Sequence, residues 1–507
     1  MKGLEQLSTL RSLACALAQS ALAKRLAKGA FWSLAGTLFP RGLTLVSTVI
    51  TARLLDKVGF GELAMVQSTV GMLQTFATFS LGITATKYVA AYRATDPPRA
   101  GRIIAAAEAF ACITGGVFAA ALMAGSSWVA VRSLAAPQLA PVLRIASLLL
   151  FFTALGGAQV GALSGFEAFK EMARVNLGVA LLGAPLLIVG TYYAGVQGAV
   201  LASVVTAAVN WVANHALVRR IAGRQGIPIR FARCWTETRV LYQFSLPAVL
   251  SGAVASPATW VANALLCNQP RGYAELGVYN AIMRIKQLPE SVATTLLLPV
   301  LPMLSEKYAL GQSHAYGRIL SGAFGISLVV TGPIAFLFAA IPQLCLAPYG
   351  ASFQHGSAAV VWLMLHSVLI ALFSPMASVL ASMERMWFGA AFNLSWGLLY
   401  VAVSFALIPG YGASGLAAAL AITHLVTSLP CLAYIYRYEP RFIGNARLGS
   451  STAVALVLYA GVAAAGAWGS TFLAACVAIL AAAGCCIMAA RSVVHGRAPE
   501  PDDVPRR

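Results

Sequence analysis

Four basic residues, Arg41, Arg144, Arg284 and Lys286, stand inside long apolar runs of this 507-residue chain. A cation at the centre of a bilayer costs roughly 2.5–3.5 kcal/mol on insertion scales, so four facing lipid would cost on the order of 10 kcal/mol. They must therefore face protein or water. Acidic partners in the same runs are few: Glu108, Glu290 and, near the end of a run, Glu62, whereas the four aspartates (Asp56, Asp96, Asp502 and Asp503) all lie outside them. Lys286 and Glu290 are four apart and share one helix face, although Lys before Glu is the weaker order. Arg41 and Arg284 have no local partner. These residues predict an electropositive cavity that receives an anionic headgroup through Arg41, Arg284, Lys286 and Arg144. Glu290 and Glu108 would be coupling groups or structural ion-pair partners. Pairing across the molecule, Arg41 with Glu290 for example, is the structural alternative. Arg144, three residues past Pro141, would also reach the interface simply by extending its side chain.

The eighth apolar run carries Pro289, Pro299 and Pro302 beside its charges, and the seventh carries Pro247 and Pro257. Proline removes a backbone donor and kinks a helix, and interrupted helices next to charge mark transport sites in membranes. Packing kinks unrelated to transport are the alternative. His366 and His424, in the tenth and twelfth runs, have the chemistry of a proton relay, though a lone histidine in a helix bundle is more often just hydrogen-bonded. The nine cysteines show no CxxC and no metal-like spacing, so neither a metal nor another cofactor is expected.

Positioning such residues is the task of a membrane-embedded scaffold. Charged residues make up 10% of the chain and apolar residues 59%, against about a quarter charged in soluble domains. The apolar runs are continuous and near the ~20 residues that span a bilayer as helix, unlike the short alternating segments of a barrel. Fourteen such runs are present, among them 60–82, 103–125 and 277–302. With a cytoplasmic N-terminus, 27 of the 35 Lys and Arg residues fall in segments on the cytoplasmic side, while Arg53, Lys57, Arg132 and Arg271 fall on the other. That bias orients the chain with both ends inside. It also accounts for most of the +19 net charge without nucleic acid. No segment between runs is long enough for an extramembrane catalytic domain, so an enzyme is not expected.

The sequence repeats. Gly59-Phe60-Gly61-Glu62-Leu63 returns as Gly272-Tyr273-Ala274-Glu275-Leu276, an offset of 213. Leu163-Ser164-Gly165-Phe166-Glu167 aligns with Leu380-Ala381-Ser382-Met383-Glu384, and Gly195-Val196-Gln197-Gly198 with Gly412-Ala413-Ser414-Gly415, both at 217. Three matches in order at nearly one offset indicate duplication. Six helices separate the copies, so the halves share one topology. The expected fold is all-α and polytopic, with about 14 transmembrane helices: two parallel-repeat six-helix lobes around a central cavity, plus two extra C-terminal helices. The expected divisions are an interfacial amphipathic segment over 1–28, an N-lobe over 29–217, a basic cytoplasmic linker over 218–240, a C-lobe over 241–434, extra helices over 449–490 and a disordered cytoplasmic tail over 491–507.

Several motifs carry a family likeness. Lys28-Gly29-Ala30-Phe31-Trp32, Arg41-Gly42-Leu43, Ala52-Arg53-Leu54-Leu55 and Gly59-Phe60-Gly61 resemble the opening of polysaccharide-biosynthesis flippases, the O-antigen-type exporters of the multidrug/oligosaccharidyl-lipid/polysaccharide superfamily. Thr86-Lys87-Tyr88-Val89-Ala90, Phe244-Ser245-Leu246-Pro247 and Pro299-Val300-Leu301-Pro302 are similar as well. The resemblance implies alternating-access transfer of an undecaprenyl-pyrophosphate-linked oligosaccharide from the inner to the outer leaflet of a bacterial cytoplasmic membrane. It implies a cavity-lining arginine in the first helix, at Arg41, and a polysaccharide polymerase or glycosyltransferase as the kind of protein partner. A cation-coupled drug exporter of the same superfamily is the runner-up. Such exporters need acidic sites in the membrane, and no Asp lies in any run here.

Overall fold

The computed structural model describes residues 21–78, 81–237, 254–383, 385–438, 440, 448–467 and 475–484. Every regular element among them is helical. The expected interfacial segment up to residue 20, the start of the seventh apolar run and the tail from 491 lie outside the described residues.

The described residues open with α1 (21–55) and α2 (57–77), separated at Asp56, whose φ of 54° breaks the helical path. The second apolar run ends earlier than the sequence indicates, and residues expected as loop form a separate helix, α3 (Leu81–Tyr92). Its four buried positions, Leu81, Thr84, Ala85 and Val89, lie on one face and give it a packing surface. Asp96 then caps α4 (Pro97–Trp128), its carboxylate accepting from the Arg99 N–H at 3.0 Å, with prolines in the first turn where no helical donor is lost. There follow α5 (Ala140–Gly165), α6 (169–193) and α7 (196–224). The second half holds α8 (Ala255–Cys267), α9 (Gly272–Leu296), α10 (Val300–Ala309), α11 (Ser313–Ala340), α12 (Pro342–Leu346), α13 (Ser357–Ser382), α14 (386–411) and α15 (413–438). Last come α16 (Leu448–Ala467) and α17 (Ala475–Gly484).

Among the described residues, eight helical stretches are long and apolar enough to cross a membrane. Three of them (Leu38–Ala77, Phe169–Arg224 and Trp387–Tyr438) each hold two helices joined by a sharp turn. Phe169–Arg224 would be about 84 Å long if straight, more than twice a bilayer core. It folds back at Gly195, with φ +54° and ψ −134°. Gly412, 217 residues later, turns α14 into α15 with φ +53° and ψ −129°. A residue with a Cβ is strained at either place. The likeness continues into the packing: a Cβ on Gly198 would overlap the Gly190 carbonyl, and one on Gly415 would overlap the Leu407 carbonyl, again 217 apart at both partners. Two hairpins are thus closed by the same backbone approach, which small residues permit in apolar surroundings.

Packing within the described residues falls into two sets. The α1–α2 element packs on α6–α7, α5 on α4 and α6–α7, and α3 on α5 and α4. In the second set α13 packs on α14–α15, α11 on α13 and α9, and α8 on α14–α15; α16 lies against α11 and α13. The sets meet through the α1–α2 element, which packs on α9 and α8.

Candidate substrate site at the seam between the helix sets

The seam is built by backbone contact. Where α2 crosses α9, a Cβ on Gly61 would run into the Tyr273 carbonyl, and one on Gly277 into the Lys57 carbonyl. Helices this close exclude side chains from the crossing, so polar groups on either side of it can bond directly. Toward the α1–α2 turn, Arg53 Nε donates to the Pro348 carbonyl at 2.6 Å and Ser352 Oγ to Asp56 Oδ1 at 2.7 Å. Asp56 lies in the turn, outside the apolar runs, and the Ser352 bond, followed by the Lys57 N–H, holds its carboxyl below the usual value. Phe60 packs with Tyr349 and Phe353, ring centroids 5.5–6.3 Å apart. The Tyr273 hydroxyl donates to the Leu134 carbonyl (2.8 Å) and Asn268 Nδ2 to the Ser133 carbonyl (2.9 Å), tying the second set to the α4–α5 connection. On the other side of the crossing, a polar run in α2 (Gln67, Ser68, Thr69) meets the second set. Asn263 Nδ2 donates to Ser68 Oγ and Trp260 Nε1 to Thr69 Oγ1, both at 3.0 Å; lower still, Thr75 and Ser256 bond at 2.9 Å.

Arg284 is part of this seam. It projects from α9, and its Nη2 donates to Gln67 Oε1 of α2. No carboxylate pairs with it among the described residues, and its buried Nε–H has no acceptor. Two residues on, Lys286 has a different fate. It is 2% exposed, and its ammonium sits 2.7 Å from Glu290 Oε1, which also accepts from Ser367 Oγ of α13 at 2.8 Å. The expected Lys286–Glu290 pair therefore forms within one helix, stapled to α13. It leaves Arg284 as a buried cation at the seam with no carboxylate paired to it among the described residues.

The remaining predicted residues are dispersed. Arg41 is exposed on α1, and no described residue pairs with it. Arg144 bonds to Ser126 Oγ (3.2 Å) and Ser127 Oγ (3.1 Å) at the end of α4, so its described partners are hydroxyls of its own set. Glu108, buried in α4, faces His215 of α7 at 3.6 Å, with Oε1 lacking any hydrogen bond. The eighth apolar run is broken where its prolines suggest: α9 stops at Leu296, and α10 starts after Pro299. Sequence reasoning missed Gln67, Trp260, Asn263 and the seam glycines. Three successive polar residues at 67–69 within an apolar helix were the available signal, because each is costly there without a partner.

An all-helical chain with repeated helix sets, joined at a polar seam that carries a buried cation, defines a polytopic membrane transporter architecture. The chain belongs to the family of polysaccharide biosynthesis proteins, whose model matches residues 26–307. A curated relative is the EPS I polysaccharide export inner membrane protein EpsE of Ralstonia nicotianae, 24% identical over 336 residues, covering 65% of this chain and 75% of the relative. Among solved structures, the lipid II flippase MurJ in an inward closed conformation superposes with TM-score 0.67 at 13% identity, covering 92% of this chain and 99% of that one. A multidrug resistance MATE family transporter of the MOP superfamily, in an inward-facing conformation, gives 0.63 at 16% identity over 79% and 97%. At these identities the two structures show a shared fold.

Proposed function

We propose that the protein is a flippase that carries a polyprenyl-pyrophosphate-linked oligosaccharide from the inner to the outer leaflet of the bacterial inner membrane, for surface polysaccharide export. The two helix sets act as lobes that rock about the seam, in alternating access. The distribution of Lys and Arg supports an outer position for the α1–α2 turn, and in this reading the seam begins at that outer end and runs down α2 to Thr75. The polysaccharide export relative supports the cargo class, and the lipid II flippase fold supports a lipid-linked form of it.

The observation that carries this reading is Arg284. An arginine at a lobe interface, bonded among the described residues to a neutral amide and keeping a spare N–H donor, is disposed to bind an anion. Guanidinium is the side chain suited to forked recognition of phosphate oxygens. Arg41 on α1 is the second contact in this reading. Lys286, neutralised by Glu290, shapes α9 and is removed from the headgroup contacts. Opening the lobes would free Arg284 from Gln67 for the pyrophosphate, while the polyprenyl tail stays in lipid.

Binding tests the assignment. A hydrogen bond to a charged group contributes about 1.5–3 kcal/mol, so Arg284→Ala should weaken capture of undecaprenyl pyrophosphate by roughly 10- to 150-fold. Unchanged affinity in both Arg284→Ala and Arg41→Ala would remove these residues from the site. Equal binding of a neutral polyprenol would remove the anionic headgroup from the reading.

A further inference from the structure

The second helix set contains a buried basic cluster that the seam does not use. His366 of α13 and His424 of α15 face each other with ring centroids 5.1 Å apart and planes at 73°. His366 is 5% exposed. His366 Nδ1 and His424 Nε2 are both buried and both lack a hydrogen-bond partner. Leaving a polar nitrogen unpaired in an apolar interior is costly, and the structure does so twice at one point. The next residue along α13, Ser367, holds Glu290, which holds Lys286. The rings are thus one residue from the ion pair on α9. His424 also lines a cavity of about 300 Å³ between α13, α14 and α15, with Phe373, Met376, Phe392 and Ser428. Ser374 and Ala377, exposed residues of α13, line it too, so the cavity reaches that face of α13.

We propose that His366 and His424 together form a single proton-binding site that couples proton movement to transport. Neutral imidazole has one donor and one acceptor nitrogen. One proton converts one ring to imidazolium, and a turn of the facing rings, whose centroids are 5.1 Å apart, would let its added N–H donate to the lone pair of the other. One proton shared in this way serves the pair, and a second would place two cations in contact. Lys286 is the charge that acts on both rings, and Glu290 offsets it. From α16 the Tyr459 hydroxyl is spent on the Val361 carbonyl. On α11 the hydroxyl of Tyr316 is spent on Ser382, and on α14 the buried hydroxyl of Tyr400 has no hydrogen-bond partner among the described residues. Protonation adds one positive charge beside Lys286, so it tightens the demand on Glu290. Glu290 lies on α9, the helix that forms the seam through Gly277 and Arg284. Proton occupancy is in this way tied to the contact that opens and closes the lobes.

The coupling rests on the transporter reading, but the site is testable without it. Full-length protein labelled with 15N-histidine is titrated in lipid from pH 4.5 to 8.5, the six histidines being assigned with Gln variants. The proposal expects the His366 and His424 signals to change together, with uptake of one proton by the pair. In His366→Gln or His424→Gln the remaining ring should lose that shared step, while His215→Gln leaves it intact. Two rings that stay neutral across the range, or that titrate independently, would overturn the site. In proteoliposomes a one-unit pH gradient should change transport by up to about tenfold and leave the His424→Gln rate unchanged. A gradient response preserved in both Gln variants would overturn the coupling. Absence of wild-type transfer of any lipid-linked saccharide would instead count against the flippase reading, leaving the titration to decide the proton site.

Discussion

Substituting Gly277 by Ala places a methyl group where α9 and α2 already touch by backbone. The added carbon would meet the Lys57 carbonyl and crowd the Gly61 nitrogen, neither of which can rotate aside as a side chain would. Overpacking of this kind costs typically 1–3 kcal/mol, and a rigid carbonyl opposite puts Gly277 toward the upper end. Gly71, also within the α2 helix, has open space around its Cβ position. There Ala should help by about 1 kcal/mol through helix propensity alone. That propensity gain at Gly277 is common to the open and closed arrangements and cancels between them, leaving a penalty of about 2–3 kcal/mol against the closed seam, or roughly 30- to 150-fold in its population. The assay is disulfide formation between cysteines at 56 and 352, whose native side chains bond at 2.7 Å, in a background with the nine native cysteines removed. Crosslinking should be fast in the parent and in Gly71→Ala, and slowed in Gly277→Ala and Gly61→Ala. Equal crosslinking in all four would refute the reasoning, since it would mean that the seam does not rely on backbone contact at these glycines.

Other outcomes follow from the same geometry. Lys286→Met or Glu290→Gln alone leaves a buried charge unpaired and should cost about 3–5 kcal/mol, read as a large drop in melting temperature. Lys286→Met combined with Glu290→Gln should recover most of it. Arg284→Lys keeps the charge but loses the fork, and should retain binding of a polyprenyl pyrophosphate only in part, as measured by competition against the parent. Gly412→Ala should destabilise by roughly 1–2 kcal/mol, because φ there is +53°. Gly389→Ala, in open space, should not lower the melting temperature.

How far the chain could be read without its structure differed by feature. Helicity and membrane insertion were legible because apolar runs of spanning length leave no other way to satisfy the backbone. The duplication was legible at Gly195 and Gly412, where one turn geometry demands one residue type twice. The Lys286–Glu290 pair was legible because it is local. The partner of Arg284 was not, since Gln67 lies 217 residues away and an amide gives no charge signal. Helix α3 was missed because Lys87 and the flanking charges look like loop, while its burial comes from packing on α4 and α5. The seam glycines were hidden for another reason. Glycine is frequent in membrane helices, and although Gly61 stands in the repeated motif, nothing local marks it or Gly277 as the point of a helix crossing.

Transfer between leaflets by the purified protein is the direct test of the flippase reading. Liposomes holding the protein and a polyprenyl-pyrophosphate-linked oligosaccharide are treated with an external glycosidase, and the cleaved fraction is followed in time. Wild-type protein should raise cleavage beyond the half initially exposed, and Arg284→Ala should slow this markedly while remaining folded. Cleavage that stalls at the initially exposed half with a competent substrate, accompanied by efflux of organic cations from the same liposomes, would contradict the account.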